Sequence, residues 1–462
     1  MALSSLTTAQ IAALPTSVIA GMSTADLLSL STQQIAAFTA AEIAAVTTTD
    51  IAVLTSADAA ALSTAGVSGL SSADIVAMLT ASVLALGSTQ LPALTPAALA
   101  GLSPAELVGL GTAGVDALTP AQIAALSTTQ LFGLTTTQIN ALGTAQVKAL
   151  ATAQMTGLGA TQIDALSTAN AAVLSLAQVA ALSTTQLASL GTAEAAALGT
   201  AGIAGLNSAD VAALPSADIL ALGSTQQPAL TPAALAGLST AELVGLGTAG
   251  VDALTPAQIA ALSTTQLFGL STTQINALGT AQVKALTTAQ MTGLSTTQIQ
   301  ALSTGDTAAL SSVQAGALTP SQVTVMGSAA AMALSTAAVS AFGSAQITAL
   351  SSAALLALTT TQFAALSTAG ISAVTNTEAA ALSTGDIAAL TKAQVAALPT
   401  ADIFALLTSE IVALTTTDIP ALTTGQIHAL TIPDCAAFTP GQIEAMTSIQ
   451  FGAMSTAQFS AL

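Results

Sequence analysis

The chain has 462 residues, of which 52% are hydrophobic and only 5% charged, and its net charge is −18. That hydrophobic content excludes a disordered tail. Three lysines and no arginine exclude nucleic acid or an anionic membrane surface as partner, since both need clustered cations.

From Leu6 to Leu462, Leu or occasionally Met, Phe or Val recurs at every eighth residue. Residues 7–462 form 57 octads without an insertion or deletion, and no change in composition marks a boundary, so 1–462 reads as one continuous array. A strict short period predicts an extended solenoid in which each unit takes nearly the same conformation. Ser, Thr, Gly or Pro interrupts every octad, so no run approaches the ~18 apolar residues of a membrane span. The start, Met1-Ala2-Leu3-Ser4-Ser5-Leu6, has neither a basic region nor a long apolar core, and no N-terminal signal peptide is recognisable.

Ser127-Thr128-Thr129-Gln130-Leu131-Phe132-Gly133-Leu134 is a representative unit. Ser or Thr at position one and Gln, Asp or Glu at position four make a capping box. Leu before position one and Ile, Val or Leu at position five make a hydrophobic staple. Seven of the 14 prolines (96, 104, 120, 232, 256, 320 and 440) fall at position two, the first helical residue, where proline costs no hydrogen bond. Pro92, Pro228 and Pro420 at position six do not fit this scheme. Each octad is therefore predicted to be one very short helix, with positions five and eight inward and Thr, Gln and Asp outward. The fold class is an all-α solenoid, or superhelix. A single long helix fails, because eight residues at 100° would rotate the leucine row by about 80° per octad. A β-solenoid is the alternative, favoured by Thr and Ile. It is opposed by the odd spacing of Ile and Leu, which would place them on opposite faces of a strand.

Acids run along position four at Glu42, Asp50, Asp58 and Asp74, and again at Asp402, Glu410 and Asp418. They read as capping acceptors near helix N-termini. The competing reading is a calcium ladder, which would need six to eight oxygens per ion. Residues 87–166 and 223–302 are near copies, offset by a whole number of octads, and Lys148 and Lys284 are copies of one residue. His428 and Cys435, the one His and the one Cys, lie near Asp434. A Cys–His–Asp nucleophile set can be drawn from them. Cys435, however, occupies the inward position five and His428 the permissive position six, so both read as ordinary substitutions. No catalytic, cofactor-binding or metal-binding residue is assigned.

The unit seen in Leu6-Thr7-Thr8-Ala9-Gln10-Ile11-Ala12-Ala13 and Leu286-Thr287-Thr288-Ala289-Gln290-Met291-Thr292-Gly293 resembles octad tracts of very large bacterial proteins described as surface, adhesin-like or haemagglutinin-related. The resemblance implies a secreted or surface-displayed bacterial protein, exported by a route that needs no signal peptide. It supplies no site residues and no adhesive head. The expected function is a non-enzymatic stalk, spacer or extracellular matrix component. The alternatives are a binding module or adhesin that engages a protein partner or a second copy through its surface or repeat ends, and ice binding by threonine rows on the β-solenoid alternative.

Overall fold

The computed structural model describes residues 3–462. They contain 53 short α-helices and five 3-10 turns, and no strand occurs among them. The chain is an all-α helical repeat protein. The β-solenoid alternative is thereby overturned, and the ice-binding reading loses the extended rows on which it rested.

Most octads start their helix as the capping box requires. In the octad 119–126, Thr119 is extended, Pro120–Ala125 is helical, and Leu126 is extended again. The Thr119 hydroxyl accepts the Gln122 N–H at 3.3 Å, and Gln122 Oε1 accepts the Thr119 N–H at 2.7 Å. Where position one is Gly143 or Ala151, the backbone half of the box survives, with Gln146 and Gln154 accepting the cap N–H at 2.7 and 2.8 Å. Such a helix stops after about a turn and a half, because the next Leu turns extended to enter the next cap.

The prolines at position six now have a physical account. Pro92, Pro228 and Pro420 have no N–H to give to a helix, and their octads close with 3-10 turns at Leu91–Ala93, Gln227–Ala229 and Ile419–Ala421. Gly111 and Gly247 are the two residues with positive φ among those described, at 71° and 70°. There the preceding Leu110 and Leu246 stay helical, so one short helix runs almost directly into the next.

The structure divides into two compact units, Met1–Leu238 and Ser239–Leu462. Within the first, Pro120–Ala125 packs on Thr144–Ala149, three octads on. Within the second, Pro256–Ala261 packs on Thr280–Ala285 at the same interval. Positions five and eight fill the interior of each unit, as Ile123 and Leu126 do in one and Ile411 and Leu414 in the other. A single octad buries too little to offset the entropy of ordering its backbone, so stability comes from these stacked neighbours.

Candidate functional site: the buried row at position four

Position four does not face outward as the sequence reading expected. Gln122, Gln258 and Gln426 are each only 1% exposed, and most side chains in this slot are buried. The reason lies in the carbonyls of positions five and eight. The extended residue at position eight cannot pair its carbonyl within a helix, and a buried carbonyl needs a donor.

Glutamine supplies that donor from a later turn. Gln122 Nε2 donates to the carbonyl of Leu94, 28 residues earlier, at 2.7 Å, and to that of Leu91, 31 residues earlier, at 2.8 Å. In the second unit Gln442 donates to Leu414 at 2.7 Å and to Ile411 at 3.0 Å. The return of 28 residues is three and a half octads, so within each unit a glutamine at position four pins a turn that precedes it. Each such glutamine uses its full capacity: the oxygen closes its own cap and the amide hydrogens hold two distant carbonyls. Shorter side chains keep part of the contact. Asn170 Nδ2 donates to Leu142 at 2.8 Å and Ser82 Oγ to Leu54 at 2.7 Å, both across 28 residues.

The acids of the hypothetical calcium ladder occupy the same slot. Glu42, Asp50, Asp402, Glu410 and Asp418 are buried, and Asp58 is partly exposed. Their oxygens serve local caps: Glu42 accepts the Thr39 N–H and hydroxyl at 2.7 and 2.8 Å, and Asp58 those of Thr55 at 3.0 and 2.7 Å. Asp418 accepts the Thr415 N–H at 3.1 Å and also its hydroxyl. Among the described residues, no three His, Cys, Asp or Glu side chains converge as metal ligands.

A carboxylate cannot donate to the carbonyls behind it, and several acids are served instead by a hydroxyl from an earlier turn. Thr24 donates to Asp50 at 2.7 Å, Thr80 to Glu106 at 3.2 Å, Thr192 to Asp218 at 2.6 Å and Ser352 to Glu378 at 2.9 Å, each across 26 residues. Glu42 Oε1, Asp218 Oδ2 and Asp402 Oδ2 are buried without a hydrogen-bond partner. Asp218 and Asp402 follow Pro215 and Pro399, which offer neither an N–H nor a hydroxyl at the cap.

The structure places Cys435 and His428 in different surroundings. Cys435 is fully buried at position five and His428 is exposed at position six. Asp434 is occupied by the Thr431 N–H and hydroxyl at 2.9 and 2.6 Å. Burial, and then the neighbouring Asp434, push the Cys435 thiol up to about 11. A thiol so placed supplies no thiolate at neutral pH.

The exterior is poor in charge, and its unusual residues are apolar. Phe132 and Phe268 are the same residue in the two duplicated blocks, each 59–60% exposed and flanked by two threonines and a glycine (Thr128, Thr129, Gly157; Thr264, Thr265, Gly293). No helix among the described residues is long and apolar enough to cross a membrane.

Sequence reasoning found the row but missed its inward direction. A signal was available. Near a helix N-terminus an acid is the better cap, yet glutamine outnumbers acids at position four, which implies that the amide hydrogens are used.

No curated protein matches the chain. Residues 93–128, 123–152, 228–264, 260–296 and 395–432 match the ALTTAQ repeat family. The first and third of these stretches are corresponding parts of the two duplicated blocks. The chain is thus a helical repeat protein, similar over these five stretches to the ALTTAQ repeat.

Proposed function

We propose that the protein is a non-enzymatic structural repeat, a stalk or spacer displayed at a bacterial cell surface, with both units serving as parts of one array. The unbroken octad register over residues 7–462 supports the single array. The observation that carries the structural reading is the use of position four: the polar side chains that recur most regularly are buried and committed to holding successive turns together. The surface placement rests on the resemblance to octad tracts of large secreted proteins. Labelling intact producing cells with an impermeant antibody against a C-terminal tag tests it. Labelling without permeabilisation is expected, and a tag reached only after lysis overturns the reading.

A second reading is a binding module that engages a protein partner or another copy. It is favoured by the exposed apolar residues Phe404, Leu407, Val412 and Ile432, which lie within a short stretch of the second unit. Light scattering against concentration separates the two: a strict monomer at high concentration removes self-association, and growth with concentration supports it.

A further inference from the structure

Asp402 and Glu410 stand in consecutive octads at the slot where glutamine elsewhere holds the earlier turn. They are 2% and 3% exposed. Their caps are Pro399 and Leu407, bulky residues at position one that carry no hydroxyl. Glu410 keeps the Leu407 N–H at 2.6 Å, whereas Asp402 Oδ2 has no partner. The carbonyls at the register that glutamine serves elsewhere belong here to Val374 and Leu382, and neither accepts a hydrogen bond among the described residues.

A carboxylate in this slot sets oxygen towards oxygen, but a carboxylic acid has the one O–H that can replace the amide N–H. The shorter Asp402 can reach, because Asn170, of the same length, already bonds the equivalent carbonyl of Leu142 at 2.8 Å. We propose that Asp402 and Glu410 form a proton-operated clasp: as neutral acids they donate to the Val374 and Leu382 carbonyls and tighten the 371–414 segment, and as carboxylates they release it.

The surroundings favour the proton. The Asp402 helix, Thr400–Ala405, packs on Asn376–Ala379, which carries Glu378, and on Thr424–Ala429, which carries His428. The Glu410 helix, Thr408–Ala413, packs on Thr384–Ala388, with Asp386, and on Ile432–Ala437, with Asp434 and Cys435. None of these four neighbouring helices carries a lysine. Burial, and then Glu378, push Asp402 up to about 6, and burial raises Glu410 despite its backbone hydrogen bond. For an acid raised in the fold, the folded state binds the extra proton between the unfolded value, 3.8, and about 6. Stability from this site is therefore present at acid pH and is lost as pH rises through about 6.

Hydrogen exchange of the full chain, corrected for intrinsic rates, tests the clasp. Protection of amides in 371–414 should rise ~10- to 100-fold from pH 7.5 to pH 4.5. In the paired Asp402→Asn, Glu410→Gln variant it should be high and independent of pH, while octads with glutamine at position four, such as 119–126, respond alike in both proteins. A flat wild-type response in 371–414, or a pH response that survives in the variant, overturns the proposal. Carboxyl 13C titration of the wild type is a check that needs no variant: a midpoint above 5 for Asp402 is expected, and one below 4 overturns the clasp.

Discussion

Replacing Gln122 by Met keeps an unbranched side chain of similar length and removes the amide. In the native structure Gln122 Oε1 accepts the Thr119 N–H at 2.7 Å and hydroxyl at 3.0 Å, and Nε2 donates to Leu91 and Leu94 at 2.8 and 2.7 Å. The Leu91 carbonyl retains the Leu94 N–H at 3.2 Å, so its loss is partial. The Leu94 carbonyl and the Thr119 N–H are left without a partner. Each buried orphan costs about 1–3 kcal/mol, and the better burial of a thioether returns about 1 kcal/mol. The expected net loss is about 3 kcal/mol. Repeat proteins can open locally, so the assay combines denaturant unfolding with hydrogen exchange across 87–126, where the loss should concentrate. A loss below about 0.5 kcal/mol, or one spread evenly over the chain, would refute the role given to the glutamine row.

Three further outcomes are expected. Thr307 stands at position five, where Ile is common, and lines a cavity of about 80 Å³ with Ile299, Leu302, Leu310, Leu318 and Met326. At ~24 cal/mol per Å³ of cavity, Thr307→Ile should stabilise by about 1–2 kcal/mol in thermal unfolding, and a loss of stability would show that the space is not fillable. Gly237→Ala would drive a Cβ into the Ser208 carbonyl oxygen, whereas Gly452 has nothing within 4 Å. The first change should cost at least about 2 kcal/mol and the same change at Gly452 less than about 1 kcal/mol by equilibrium unfolding; equal effects would contradict the packing of successive turns. Cys435 should resist iodoacetamide at pH 7 until the chain is unfolded, and rapid modification of the folded protein would contradict its burial.

Much of the architecture was legible from residue order. Thr119 with Gln122, Leu118 with Ile123, and Pro120 at the first helical position specify a capped helix within one octad, because capping chemistry is local. Contacts with an earlier turn are not local. The partners of Gln122 Nε2 depend on how many octads complete a turn, and no single unit encodes that number. For the same reason nothing in its own octad warned that Asp402 sits among unclaimed carbonyls, although Pro399 at its cap is plain to read. The prolines at position six became intelligible once Leu91–Ala93 was seen as a 3-10 turn. The Cys435 position was readable in advance, since position five is inward in the octads just before it, at Ile411, Ile419 and Ile427.

The central claim is that the glutamines at position four hold earlier turns of their unit through their side-chain amides. Selective 15N labelling of glutamine, with exchange of the side-chain NH2 protons followed by NMR, tests it most directly. Gln122, Gln154 and Gln442 should exchange orders of magnitude more slowly than the exposed Gln33 and Gln300. Exchange of all five at one common fast rate would contradict the account.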